Sequence, residues 1–375
     1  NFNIMIFCPW CDQGLGIQSR NYANILKQYF ELFNIYIFSY VPYNAKTCHK
    51  LQITNDEWEY NDIFYSDNIR EKVTDYEIIN FVKKHNIGKC IIPETCWYRI
   101  FEITKLLNTL NVLCYAVPNI EIVREDEISK HHYYHKILCN NYYCQEMFKK
   151  YNFNNTIYIG YGQLENNINL KSPTKKQIKF LFIGGMNAFS RKQMGDVCKA
   201  FVLAYEKIKN ITLTCTVQKL NKFEYNISKQ LHYYSEHPAI TIINKALTYQ
   251  DIINKYVDHD ISVQVSKHEG LGLGFYESLA NNTPVITLNT PPHNEIIKDG
   301  INGWIIPCHY KKMKDNKCPL FQSAHFDPMI LANKFIQIAT NSTAITNIIP
   351  KLINDYNDRL HSNIFCDRFV NALLD

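Results

Sequence analysis

The chain opens with Ile4-Met5-Ile6-Phe7, a turn at Gln13-Gly14-Leu15-Gly16, a helical pattern from Ser19 to Phe30, and then Ile35-Tyr36-Ile37-Phe38. Strand, glycine turn, helix, strand is the grammar of a βαβ unit, and a βαβ unit requires a parallel sheet. Further strand-like runs occur at Lys89–Ile92, Val112–Val117, Lys136–Cys139 and Thr156–Ile159, with helix-like stretches between several of them. The first half therefore reads as a doubly wound α/β domain.

A polar stretch from Glu165 to Gln177, with Ser172-Pro173-Thr174 inside it, reads as a linker. The same grammar then restarts: Phe180–Ile183 as a strand, Gly184-Gly185 as a turn, and a helix through Phe201. Ile211–Val217, Ile240–Ile243, Ile261–Val265 and Pro284–Leu288 follow as strands, with helices around Tyr249–Tyr256 and Phe275–Ala280. From Asp327 onward the pattern is mostly helical, with Leu331, Phe335 and Ile336 at helix spacing. The expected organisation is two Rossmann-like domains, 1–168 and 178–345, then C-terminal helices at 346–375 that cross back to the first domain.

Composition narrows the function. With 375 residues, two domains can each bury a core; 46% hydrophobic and 20% charged residues describe an ordinary globular chain. A formal charge of +5, with scattered basic residues, lacks the stripe of a nucleic-acid protein, so no nucleic-acid partner is expected. Thirteen cysteines without regular spacing argue against a disulfide framework. No apolar run approaches eighteen residues and no charged-then-apolar leader is present. The expectation is a soluble, cytoplasmic protein with reduced thiols, and nothing indicates membrane-surface contact. A chain that starts at Asn1 leaves room for an upstream segment.

The stretch most specific for chemistry is Ser266-Lys267-His268-Glu269-Gly270-Leu271-Gly272-Leu273-Gly274-Phe275-Tyr276-Glu277. It follows a strand and runs into a helix. Glycines let backbone amides approach a ligand, and the start of a helix favours a diphosphate. Glu277 falls on the first turns of that helix and can share a pocket with Glu269. Two carboxylates beside a phosphate site make sense as acceptors of hydrogen bonds from sugar and ribose hydroxyls.

Ser266 to Gly303 resembles the donor-site signature of the family-4 GT-B glycosyltransferases. The matching pieces are Glu269 and Glu277 with seven residues between them, Thr283-Pro284-Val285-Ile286, and Glu295-Ile296-Ile297-Lys298-Asp299-Gly300-Ile301-Asn302-Gly303. The resemblance implies a GT-B fold, two Rossmann-like domains facing across a cleft. It also implies retention at the anomeric carbon and no metal or other cofactor. Glu269 would hold the donor sugar's hydroxyls and Glu277 the ribose, with Gly270, Leu271, Gly272, Leu273 and Gly274 lining the donor. Gly184-Gly185 followed by Ser190-Arg191-Lys192 is similar to the family's basic pair after this domain's first strand, so Gly185 would bind donor. Arg191 and Lys192 would neutralise the diphosphate as it departs, which stabilises the transition state more than the ground state. Gly14-Leu15-Gly16 resembles the family's glycine loop facing the donor phosphates, although tight βα turns need glycine in any case. Tyr115-Ala116-Val117-Pro118-Asn119-Ile120-Glu121 lacks the His that many members carry there. Asn119 and Glu121 either orient an acceptor hydroxyl or shape the loop after Pro118.

Two other motifs carry blander readings. Cys8-Pro9-Trp10-Cys11 has redox-motif spacing, but no second pair completes a zinc site and a glycine loop follows at once. His131 and His135 have the spacing of a metal pair on a helix, without a third ligand, and read instead as a solvated or stacked face. Together these readings predict a UDP- or GDP-sugar donor and a glycan, protein or lipid acceptor hydroxyl. The competing readings are a nucleotide-sugar epimerase or phosphorylase of the same fold, and an inactive nucleotide-sugar-binding scaffold.

Overall fold

The computed structural model describes residues 1–41, 58–68, 70–95, 99–121, 125–163, 177–218, 225–312, 322–341 and 343–375. The chain divides into two compact units. The first comprises residues 1–164 with Ser362–Asp375, and the second 165–314 with Gln322–His361. The expected linker at 165–177 falls almost wholly outside the described residues.

The first unit carries β1 (Phe2–Cys8), α1 (Gly14–Lys27), β2 (Phe33–Ser39), β3 (Ile63–Tyr65), α2 (Asp75–His85), β4 (Lys89–Ile92) and α3 (Ile100–Thr109). It continues with β5 (Leu113–Ala116), α4 (Glu125–Ser129), β6 (Lys136–Cys139), α5 (Tyr142–Lys150) and β7 (Thr156–Tyr158). The strands form one parallel sheet in the order β3-β2-β1-β4-β5-β6-β7. Ile4, Met5 and Ile6 of β1 are shut off from solvent, as expected of a central strand covered on both faces. Two of its helices start at a side-chain cap: Thr74 and Glu77 close a capping box on α2, and Asn141 accepts from the Cys144 amide at the start of α5.

The second unit carries β8 (Ile178–Ile183), α6 (Met194–Lys207), β9 (Ile211–Val217), α7 (Tyr225–Ser235), β10 (Ile240–Asn244), α8 (Tyr249–Asp258), β11 (Ile261–Gln264) and α9 (Leu273–Ala280). It continues with β12 (Val285–Leu288), α10 (His293–Ile296), β13 (Gly303–Ile306), the hairpin β14 (His309–Lys312) and β15 (Gln322–His325), α11 (Pro328–Thr340) and α12 (Ala344–Asp355). Its sheet is again parallel, in the order β10-β9-β8-β11-β12-β13. Strand order therefore reverses between β8 and β11, and loops leaving those two strands part at that point. In open α/β sheets this is where ligands bind.

Three features correct the sequence reading. Gly14-Leu15-Gly16 is the first turn of α1, which runs from Gly14 rather than from Ser19. A Cβ on Gly16 would lie 2.0 Å from the Cys11 carbonyl oxygen and 2.6 Å from that of Pro9, so glycine lets the helix begin directly against the preceding loop. The edge strands β3 and β13, only three and four residues long, are additional to the strand-like runs read from the sequence. His131 lies in a short 3-10 turn, Lys130–Tyr133, that ends before His135, so the two do not share a helix face. His131 is buried, so of the two readings the stacked one holds: its ring lies edge-on to Phe101 and Phe148, Nε2 bonds Thr95 Oγ1 at 2.9 Å and Nδ1 faces two backbone carbonyls.

The last helix, α13 (Ser362–Leu374), belongs to the first unit. Phe365 and Phe369 lie against Tyr22 of α1 at 5.7 and 4.8 Å between ring centres, and Lys89 of β4 donates to the Leu373 carbonyl. The preceding π-helical turn, Tyr356–Leu360, stays with the second unit, where Arg359 binds Asp355 and the carbonyl of Ile296.

Candidate functional site

Both loops at the switch point of the second sheet carry charged residues, and they are joined to each other. After β8, Gly184 approaches its neighbours so closely that a Cβ would fall 2.6 Å from the Thr216 carbonyl and 2.5 Å from Ala188. Gly185 adopts φ +61°, a backbone region that glycine enters without strain, and a Cβ there would point into open space. The chain then makes a 3-10 turn and delivers Arg191 and Lys192 just ahead of α6. After β11, the Lys267 amide donates to the Arg191 carbonyl at 2.9 Å. The Arg191 guanidinium answers with bonds to the His268 carbonyl at 3.2 Å and to Glu269 at 2.7 Å.

Arg191 and Glu269 are 17% and 11% exposed, so their ion pair is largely removed from water, where charge–charge attraction is strong. Burial alone would raise the Glu269 pKa, but Arg191, and after it Lys192, hold it at about 2. Glu269 is therefore ionised at any physiological pH. A guanidinium has five N–H donors, so pairing with Glu269 does not exhaust Arg191.

Gly272, at φ +74°, caps α9, and a Cβ there would collide with the Phe275 ring as well as strain the backbone. Gly274 sits one residue into the helix, where a Cβ would fall 2.7 Å from the Gln264 side-chain oxygen. Gly272 and Gly274 keep Cβ atoms from two positions at the start of α9, where the first amides of a helix have no intrahelical partner. Leu271 is buried and Leu273 half-buried, giving the loop its anchor. Glu277 follows one turn later on α9 and is buried beside Tyr256 and within the field of Lys192. Its burial raises its pKa to about 7 against the pull of Lys192 and then of Tyr256. The two carboxylates thus differ by environment: one is fixed as an anion by a guanidinium, and the other titrates near neutrality.

Residues that sequence reading did not single out complete the surroundings. Thr287 Oγ1 donates to the Gln264 carbonyl at 2.6 Å and lies 3.1 Å from His293 Nδ1. Its single proton is spent on Gln264, so the imidazole carries its proton on Nδ1 and Nε2 is a buried acceptor without a hydrogen-bond partner among the described residues. Burial, with Glu269 opposing, lowers the His293 pKa to about 4 and keeps the ring neutral. The only sequence signal is its place just before Glu295.

Other parts of the signature are structural. Asn302 is fully buried; its amide nitrogen donates to the Ile296 carbonyl and to Asp355, and its oxygen accepts from the Lys298 amide. Asp299 accepts from the Ile305 amide. Thr283 Oγ1 bonds the Tyr256 carbonyl. These residues shape the turns between β11, β12 and β13.

The remaining predicted residues belong to the first unit. Gly14 and Gly16 open α1. Asn119 donates to Gln18 at 2.6 Å and to the Pro93 carbonyl at 3.0 Å, and accepts from Asn140 at 3.1 Å. Gln18 and Asn140 both meet the Tyr22 hydroxyl. Asn119 therefore ties the strand ends of its sheet to α1, and Glu121 lies just beyond it, half-buried. Cys8 and Cys11 are buried and unbridged, and burial pushes the Cys8 thiol up to about 12, far from the thiolate that redox exchange requires. Among the described residues, no three His, Cys, Asp or Glu side chains gather as a metal site, and no helix is long and apolar enough to cross a membrane.

Two parallel-sheet Rossmann-like domains, with a charged site at the switch point of the second, define the GT-B class of fold. Comparison with solved structures bears this out. The protein is similar to Anabaena HepE in complex with UDP and glucose, at TM-score 0.74 and 11% identity, covering 100% of this chain and 99% of that one. It is also similar to the apo form of the lipopolysaccharide outer core galactosyltransferase WaaB, at TM-score 0.66 and 12% identity, covering 100% and 99%. The pneumococcal O-GlcNAc transferase GtfA, in complex with UDP and GlcNAc, matches at TM-score 0.68 and 12% identity, covering 99% and 98%. No curated protein matches in sequence. Residues 166–316, nearly all in the second unit, match the family described as glycosyl transferases group 1.

Proposed function

We propose that the protein is a retaining, metal-independent glycosyltransferase that moves a sugar from a UDP- or GDP-sugar to a hydroxyl of a glycan, protein or lipid. The observation that carries this reading is the joining of the post-β8 and post-β11 loops through Arg191 and Glu269 at the switch point, with Lys192 within the field of both Glu269 and Glu277. Arg191, Lys192 and the amides at the start of α9 supply positive charge where a leaving nucleoside diphosphate gains negative charge. Glu269 accepts from the donor sugar's hydroxyls and Glu277 from the ribose, while Gly185 and Gly270 to Gly274 let the backbone approach the diphosphate. The sugars and UDP named for HepE and GtfA support a nucleotide-sugar donor. Buried, unbridged cysteines support work in a reducing, cytosol-like compartment. Incubation with UDP- and GDP-sugars in the presence of EDTA, with NMR of the anomeric proton of the product, tests the reading. It predicts turnover unaffected by EDTA and a product with the donor's anomeric configuration; loss of turnover on chelation or an inverted product contradicts it.

The Glu277 assignment has a pH signature. Ribose hydroxyls donate to the carboxylate, so only the ionised form binds well, and its fraction rises with pH through about 7. Affinity for a nucleotide-sugar is expected to be about tenfold higher at pH 8 than at pH 6. Glu277→Gln is expected to bind weakly at both pH values, without that dependence. Calorimetric titration at the two pH values checks this, and a flat profile in the parent protein removes Glu277 from the ribose. Folding stability moves oppositely. A buried acid whose pKa is raised from 4.5 holds its proton longer in the folded state, so its contribution is present below about 4.5 and is lost as pH rises through 7.

A further inference from the structure

The hairpin β14–β15 rises from the end of β13, on the same edge of the parallel sheet as the charged loops. Its second strand is hydrogen-bonded into them: the Ala324 amide donates to the Lys267 carbonyl at 3.0 Å, and the Gln193 side chain bridges the carbonyls of Val265 and Ala324. The antiparallel register sets His309 opposite His325 and Lys311 opposite Ser323. Side chains alternate along a strand, so His309, Lys311, Ser323 and His325 share one face, while Ala324 turns into the core from the other. The His309 and His325 rings stack at 6.0 Å, and Ser323 Oγ lies 2.9 Å from His325 Nε2.

Four basic groups converge there. Burial and then Lys267, Lys311 and His309 drive the His325 pKa down to about 4. The Lys267 ammonium is destabilised by burial and by Lys311, with Asp196 as the opposing charge. Neither Lys267 nor Lys311 makes a salt bridge among the described residues. Like charges gathered on one rigid face, beside a site for a phosphate-bearing ligand, are repelled by one another until an anion joins them.

We propose that this hairpin face, with Lys311, His309, His325 and Lys267, is a second anion subsite that binds a phosphate group carried by the acceptor. The acceptor role rests on the glycosyltransferase reading. A phosphate presents acceptor oxygens to the two ammonium groups and to the imidazoles, and its charge favours protonation of His325.

Histidine-labelled protein, followed by imidazole NMR across a pH titration, tests the site with inorganic phosphate, glycerol 3-phosphate, and vesicles of phosphatidylglycerol against phosphatidylcholine. The expected result is a rise of about one unit or more in the His325 pKa with phosphate present. The rise persists in Lys192→Met and is abolished in Lys311→Met. A response to glycerol 3-phosphate identifies a soluble phosphorylated ligand, and a response to phosphatidylglycerol vesicles alone identifies a lipid headgroup. No response to any probe, or a response lost in Lys192→Met, overturns the subsite. Thermal stabilisation by nucleotide-sugars is read on the same samples: its presence without a His325 response sinks the hairpin site alone, and its absence beside a His325 response sinks the donor reading alone.

Discussion

Arg191→Ala is expected to lower kcat/KM by about a hundredfold to a thousandfold, because it removes a fixed cation from the place where the leaving diphosphate gains charge. The same change leaves Glu269 as a buried carboxylate without its 2.7 Å partner. Removing one member of a buried pair costs about 3 kcal/mol or more, so the variant is also expected to unfold at a markedly lower temperature. The two effects are separated by assaying well below the new midpoint. A catalytic role predicts that kcat stays low there, whereas a purely structural role predicts that kcat recovers in protein that is fully folded. Arg191→Lys retains charge but not the reach and the further N–H donors of the guanidinium, whose Nη1 meets both Glu269 and the His268 carbonyl, and is expected to recover only part of the loss.

Gly303→Ala is expected to cost at least about 2 kcal/mol of stability, a large effect for one methyl group. Gly303 pairs with Val285 across β12 and β13, and a Cβ would fall 2.1 Å from the Val285 carbonyl oxygen and 2.9 Å from Ile297. Backbone cannot give way as a side chain can, so the strands must part. Chemical denaturation reads the loss directly; a variant within 0.5 kcal/mol of the parent, on the order of an ordinary surface change, would show that the edge strand yields. The expected cost assigns this last glycine of the signature to the packing of β13 and not to ligand contact.

That distinction marks how far the sequence could be read. The parallel sheets were legible because strands such as Ile211–Val217 and Lys89–Ile92 are rich in β-branched and apolar residues and separated by helical periods, and β9 and β4 occupy those same residues. The edge strand β3 is only three residues long and half-buried, too short for its apolar residues to stand out as a strand. Within the site, the family resemblance pointed to Glu269, Glu277, Arg191 and Lys192, which lie on the loops and helix that follow β8 and β11 at the switch point. Spacing could not show that Arg191 binds Glu269, that Glu277 titrates near 7 through burial, or that Asn302 spends its amide on Ile296 and Asp355. Such facts rest on tertiary contacts, as the separations of 78 residues for Arg191–Glu269 and 53 for Asn302–Asp355 illustrate. His293 left no signal because its tautomer is decided by the pairing of two neighbouring strands, which sets Thr287 beside both it and the Gln264 carbonyl.

The most direct test of the donor site is thermal unfolding against UDP, GDP and their sugars without added metal. A ligand that binds only the folded state contributes about 2.7 kcal/mol at a hundredfold excess over its dissociation constant. The account predicts a raised midpoint with the sugars of one base, and loss of that rise in Arg191→Ala. An unchanged midpoint with every nucleotide and nucleotide-sugar, in protein shown to be folded, would contradict it.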